Sequence, residues 1–329
     1  MALRDLLKSV FGRGEGRVDG APLPPADVGH DAVELARRLS MSVRDMVALQ
    51  PQYDVFTIPK RRGGTRRITA PQPDLKELQR RINRKLLGRL KAHPAAMGFE
   101  KGQSIATHAR RHAGRAVVVR MDIRDFFATT AEIRINAYFR RIGWNAQAAA
   151  VLTKLCTHQG ALPQGAPTSP RLSNLVNYCL DARLAGLASH MNLTYHNPHT
   201  MEPVRQVQAA EHAIVYSRYA DDMTFSFDRD EHYLIETVIH LTGMIVREYG
   251  YRLHTKKKLR IMRRHDRQIV TGLVVNVVAD LPRSTRRWLR AVEHHLIAGR
   301  QATLTENQLA GWQALQHMIL TQGPSVTDV

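Results

Sequence analysis

Residues 214–227 read Ile-Val-Tyr-Ser-Arg-Tyr-Ala-Asp-Asp-Met-Thr-Phe-Ser-Phe. Apolar residues recur at every second position on both sides of the centre: Ile214 and Tyr216 before it, Met223, Phe225 and Phe227 after it. This period of two predicts a pair of half-buried strands joined by a tight turn at Ala220-Asp221-Asp222. A second β-branched run, Ala116–Met121 (AVVVRM), ends at another acid, Asp122. If these strands are neighbours in one sheet, three carboxylates converge. Such a cluster is costly unless cations neutralise it. Two Mg²⁺ ions about 3.5–4 Å apart would do so while supporting in-line phosphoryl transfer. Carboxylate oxygens are the hard donors Mg²⁺ prefers, so no Cys/His cage is needed. Taken alone, an Asp-Asp pair equally suits a plain turn.

The surrounding chain is strongly basic. Its 329 residues carry 48 Lys+Arg against 29 Asp+Glu, a formal net charge of +19. That excess favours a polyanionic partner, nucleic acid first, although a ribosome-associated or histone-like protein would fit the charge as well. An apolar fraction of 43% is ordinary for a globular protein. No apolar run approaches the roughly 18–20 residues of a membrane span, and the opening MALRDLLKSVFGRGEGR lacks the pattern of a signal peptide. Two cysteines, Cys156 and Cys179, exclude a disulfide framework. The expectation is a soluble, cytoplasmic protein with no membrane partner.

Residues 1–50 read as a helical region with a Gly/Pro-rich linker at 13–30, and the family resemblance described below divides the rest into 51–265 and 266–329. Asp54–Ile68 predicts a hairpin with a basic turn at Gly63-Gly64, and Pro71–Leu90 a helix with Leu75, Leu78, Ile82, Leu86 and Leu87 on one face. Helical spacing covers about 131–157, 171–187 and 233–249, a Gly/Pro-rich loop covers 160–170, and one strand is expected at 269–275. Residues 190–212 read as a polar surface insertion without an assignable role. Hairpins and long connections predict an α+β fold rather than a doubly wound sheet.

Tyr219-Ala220-Asp221-Asp222 resembles the YxDD box of reverse transcriptases. Asp122-Ile123-Arg124-Asp125-Phe126-Phe127 resembles their first palm motif, and Leu162–Pro170 (LPQGAPTSP) the loop-to-helix motif that holds template and nucleotide. The three occur in the family's order. Phe56–Lys60, Gly64 and Arg66–Pro71 are similar to bacterial fingers segments, and Gly98–Ile105 to the segment before the first palm strand. His108-Ala-Arg-Arg-His112 stands where the retron branch carries NAxxH, with His in place of Asn, and Val270-Thr271-Gly272 is similar to its VTG triplet.

The resemblance implies a right-hand polymerase with fingers, a palm of antiparallel sheet plus helices, and a mainly helical thumb. It implies catalysis and binding of two Mg²⁺ ions, with Mn²⁺ as a substitute, by Asp122, Asp221 and Asp222, together with the carbonyl of Ile123. Asp125 is left out as a surface group. Nucleotide contacts would come from Lys60, Arg67, Phe127, Gln164, Gly165, Ala220 and Lys256. Of these, the choice of Arg67 over Arg66 depends on register, Phe127 also reads as core, and Lys256 also reads as part of a solvated Lys run. RNA contacts would come from His108, His112, Val270, Thr271, Gly272 and a basic helical face of Arg283, Arg286, Arg287 and Arg290, which also reads as a solvated face. The remaining histidines read as surface or nucleic-acid-facing groups.

The implied activity is RNA-templated DNA synthesis from deoxynucleoside triphosphates on a cognate structured noncoding RNA. Priming from an RNA 2′-OH would give branched, RNA-linked DNA, and a separate effector protein would join it in anti-phage defence. A group II intron or diversity-generating reverse transcriptase is the alternative enzyme, and a non-catalytic RNA-binding palm the alternative outside that class.

Overall fold

The computed structural model describes residues 22–60, 63–191, 214–254 and 259–321. Lys256 and nearly all of the insertion at 190–212 lie outside the described residues. The chain forms two compact units that interleave along the sequence: residues 1–99, 123–186 and 241–253 in the first, and 100–122, 187–240 and 254–329 in the second.

In the first unit the predicted hairpin pairs β1 (Tyr53–Pro59) with β2 (Thr65–Pro71). Leucines and isoleucines three and four apart turn one face of each helix inward. Leu35 and Leu39 of the Ala32–Leu39 helix, and Leu78 and Ile82 of Pro73–Ile82, join Phe139, Leu152, Leu155 and Leu172 in a core. Burying each such side chain stabilises the fold by about 1.5–3 kcal/mol. Asp31 caps the first of these helices by accepting from the Glu34 N–H. The helix expected at 71–90 stops being α-helical at Ile82 and passes into a π turn at Asn83–Leu87.

In the second unit a four-stranded antiparallel sheet has the order β4-β5-β3-β6: β3 is Val117–Asp122, β4 Ile214–Tyr219, β5 Asp222–Phe227 and β6 Arg260–Arg263. Alternation gives its two faces different chemistry. Val117, Val119, Met121, Tyr216, Met223, Phe225 and Phe227 line one face and are buried. The other carries Val118, Arg120, Asp122, Ser217, Tyr219, Asp222, Thr224 and Ser226. Val118 joins a second core with Ala106, Ala109, Val270, Leu273 and Val275, and with Leu289 and Val292 of the Arg283–Ile297 helix.

The single strand expected at 269–275 is instead a tight hairpin, β7 (Ile269–Val270) and β8 (Leu273–Val274). Thr271 and Gly272 turn it with φ of 46° and 89°. Positive φ at both central residues matches the twist of a two-residue hairpin. The Thr271 hydroxyl donates to the Ile105 carbonyl at 3.0 Å, which helps hold a β-branched residue in that conformation. The fold is thus α+β with antiparallel sheets, as expected. Among the described residues no helix is long and apolar enough to cross a membrane.

Candidate active site

Two of the three acids predicted to converge face each other in the second unit. β3 and β5 place Asp122 directly opposite Asp222. Residues so paired have Cβ atoms about 4.5–5.5 Å apart, on the same face of the sheet. Asp221 sits beside them in the Ala220-Asp221 turn that joins β4 to β5. Ala220 takes φ 58°, a conformation that costs a residue with a Cβ roughly 1 kcal/mol or more.

Two groups that the sequence reading did not single out lie against the acids. Arg120 lies two residues before Asp122 and so on the same face. Its guanidinium grips both oxygens of Asp222, with Nε donating to Oδ1 at 3.1 Å and Nη2 donating to Oδ2. Its Nη1 donates to the Ile269 carbonyl at 3.3 Å. His254 places Nε2 3.6 Å from the Asp122 carboxylate, and its backbone N–H donates to the Asp122 carbonyl at 2.9 Å. The signal for Arg120 was its i, i+2 relation to Asp122 in a strand. His254 gave none.

Among the described residues no three His, Cys, Asp or Glu side chains are gathered as a metal cage. Asp222 is engaged with Arg120, and Asp122 lies beside His254. The donor chemistry nonetheless fits a pair of Mg²⁺ ions, since two carboxylates face each other on adjacent strands and a third follows at the turn.

The expected nucleotide residues of the first unit are distributed as follows. Thr69 of β2 donates its N–H to the Gln164 carbonyl at 2.8 Å. Gly165 has φ 130°, and a Cβ there would lie 3.0 Å from Ile68 Cγ2 and 3.0 Å from the Thr69 carbonyl oxygen. Close approach of the protein's own strand, not of a ligand, is what this glycine demonstrably permits. Phe127 is half-buried, its ring centroid 6.4 Å from Phe99 and 5.5 Å from Phe126. Ile123 is buried and bridges to Leu253. Lys60, Arg66 and Arg67 are exposed. The register sets Arg67 opposite Thr57 and Arg66 opposite Ile58, and the Lys60 N–H donates to the Gly64 carbonyl. Lys60 therefore shares a face with Arg66, whereas Arg67 points to the other. The choice between Arg67 and Arg66 therefore rests on which of these two faces meets the nucleotide.

The expected RNA contacts divide. His108, His112 and Val270 are fully buried, which corrects the expectation that their side chains meet RNA. His112 bonds Ser226 Oγ through Nδ1 (2.8 Å) and Ser217 Oγ through Nε2 (2.6 Å), so it ties the two strands of the acid-tipped hairpin together. His108 packs its ring 5.5 Å from that of Tyr219. Burial pushes His108 down to about 3, helped by the positive charges of Arg120 and Arg111, and pushes His112 well below the usual histidine range. Both rings are therefore neutral at pH 7. Flanking Ala106 and Ala109 were the sequence hint of burial. Thr271 and Gly272 form the turn described above. Arg283, Arg286, Arg287 and Arg290 are exposed on one helix, and Arg286 pairs with Asp280 at 2.7 Å. Three of them line a groove of about 500 Å³ together with Gln313 and Gln316.

An α+β chain that pairs two acids on neighbouring antiparallel strands and sets a third in the adjoining turn, on a basic protein, fits the class of nucleic-acid polymerases. The family described as reverse transcriptase (RNA-dependent DNA polymerase) matches residues 58–275, and the chain belongs to it, on the retron branch to which its relatives belong. It is 33% identical to the Retron Mx162 reverse transcriptase of Myxococcus xanthus, over 87% of this chain and 63% of the relative. It is 37% identical to the Retron Mx65 enzyme of the same organism, over 74% and 55%. It is 30% identical to the Retron Ec86 reverse transcriptase of Escherichia coli, over 90% and 86%. The alignment thus spans less than two thirds of both Myxococcus relatives.

Proposed function

We propose that this chain synthesises DNA on an RNA template as a retron reverse transcriptase. The supporting observation is the pairing of Asp122 with Asp222, with Asp221 at the adjoining turn, inside the region matched to the family. Asp122 and Asp221 are assigned as the principal metal-holding groups, with the Ile123 carbonyl, and Asp222 stands next to them. Bound Mg²⁺ would supply the charge neutralisation that an attacking hydroxyl and a leaving pyrophosphate require. Phe127 selects deoxynucleotides by excluding a 2′-OH, and Gln164, Gly165 and Ala220 border the nucleotide. Lys60, with Arg66 or Arg67, binds the triphosphate: Lys as a point charge, Arg as a fork. Lys256 is kept as the proton donor to the leaving group.

In the right-hand division proposed here, residues 51–265 form fingers and palm and 266–329 the thumb, behind the N-terminal region 1–50. The exposed arginines of 283–290 bind the phosphates of a cognate structured RNA. That RNA acts as template and supplies a 2′-OH primer, so the product is RNA-linked single-stranded DNA. The protein works in the cytoplasm with a separate effector in phage defence. Recovery from expressing cells of DNA joined to RNA through a 2′ position tests the retron reading. DNA recovered without such a joint would leave a reverse transcriptase of another type.

A further inference from the structure

Like charges set directly opposite one another on a sheet are destabilising. Asp122 and Asp222 are so placed, and their side chains are only 17% and 19% exposed, so solvent screens them weakly. The compensating charge is built into β3 itself. Arg120 shares their face, sits diagonal to Asp222 and engages both of its oxygens, while its remaining nitrogen bonds the Ile269 carbonyl at the β7 end. A guanidinium anchored at two points is a fixed fork rather than a wandering surface charge. His254 also lies near the acids, 3.6 Å from Asp122 and a full cation only when protonated.

Taking the cluster as the Mg²⁺ site proposed above, we infer that Arg120 is its resident counter-ion, a positioning residue that acts through Asp222. It carries the charge that lets Asp122 and Asp222 face each other before any metal binds. It also holds Asp222 in a fork of its own, which makes the two acids of the Asp-Asp pair unequal: Asp222 is committed to Arg120, and Asp221 has the metal-holding role. Bound divalent cation, on Asp122 and Asp221, and Arg120, on Asp222, neutralise neighbouring members of one acid cluster, so removal of one increases the stabilising effect of the other.

The test measures Tm of the full chain with and without millimolar Mg²⁺ in the wild type, Arg120→Gln, Arg120→Lys, Asp222→Asn and the Arg120→Gln/Asp222→Asn double variant. Without Mg²⁺, Arg120→Gln should lower Tm by about 5 °C. Mg²⁺ should restore most of that loss, so its Tm shift is larger in Arg120→Gln than in the wild type. Arg120→Lys, which keeps the charge but not the fork, should fall between. In the Asp222→Asn background, loss of Arg120 should cost little. Equal Mg²⁺ shifts in wild type and Arg120→Gln, zero included, overturn the inference, as does an equal cost of Arg120→Gln in both backgrounds. If Arg120→Gln fails to fold, a Mg²⁺ shift in Arg120→Lys that matches the wild type overturns it instead. Failure of wild type to incorporate deoxynucleotides would remove the polymerase reading separately, since Tm is read without substrate.

Discussion

Asp122 and Asp222 are register partners on adjacent antiparallel strands, so the acid that ends β3 and the second acid of the Asp-Asp pair occupy one face of the sheet. That face is largely polar: Arg120 lies beside the acids, and His112 lies bonded to Ser217 and Ser226 further along the same strands. The acids are therefore held by a layer that is itself buried, and damage to that layer should register in stability and in activity together.

Acid should weaken the protein through the two buried imidazoles. Their folded pKa values lie below the roughly 6.5 of an unfolded histidine, so the unfolded chain takes up protons first. Stability is then fully present above about pH 7.5 and declines as pH falls through 6.5 toward the folded value of about 3 for His108. Each ring contributes at most about 1.4 kcal/mol per pH unit. Urea midpoints of the wild type and of His108→Asn, taken from pH 7.5 to 5, should show a shallower decline in the variant; parallel curves would refute this.

Gly165→Ala places a methyl 3.0 Å from Ile68 and the Thr69 carbonyl, on a backbone with φ 130°. A loss of about 1–3 kcal/mol in urea unfolding is expected. Gly272→Ala serves as the comparison, because nothing lies within 4 Å of its added carbon. It should cost only the turn strain, about 1 kcal/mol.

Arg283→Gln and Arg290→Gln should weaken binding of structured RNA with little change in Tm, since both side chains are exposed. In salt titrations each should reduce the slope of log K against log[salt] by about 1 if it contacts a phosphate. An unchanged slope would mark the helix as a solvated face.

Phe127→Ala should relax sugar selection, so that ribonucleotide incorporation rises about 10–100-fold relative to deoxynucleotide incorporation. Steady-state kinetics with matched triphosphates measure this, and an unchanged ratio would return Phe127 to the core beside Phe99 and Phe126.

The hairpin around Gly63-Gly64 was legible from two β-rich runs flanking a glycine turn, and that around Ala220-Asp221 from alternation on both sides. The turn at Thr271-Gly272 was hidden, because Val270 and Thr271 are β-branched and read as strand, although Gly272 permits the bend and the Thr271 bond to Ile105 supports it. Asp122, Asp221 and Asp222 stood out as acids in apolar strands of a basic chain. Arg120 was lost among 48 basic residues, since its role exists only in the register. His108 and His112 were expected at RNA through the resemblance of HARRH to NAxxH; their burial was not legible, because the two serines that meet the hydrogen-bonding needs of His112 lie on distant strands. The close packing of Gly165 against Ile68 and Thr69 of β2 is a tertiary contact that no local pattern announces.

Incorporation of labelled deoxynucleotide on a primed RNA template in Mg²⁺ tests the central claim most directly, with wild type, Asp122→Asn and Asp221→Asn compared at equal folded concentration. Mg²⁺-dependent synthesis by the wild type that drops below about a hundredth in each variant is the predicted result. Undiminished synthesis in either variant, or none from the wild type, would contradict it.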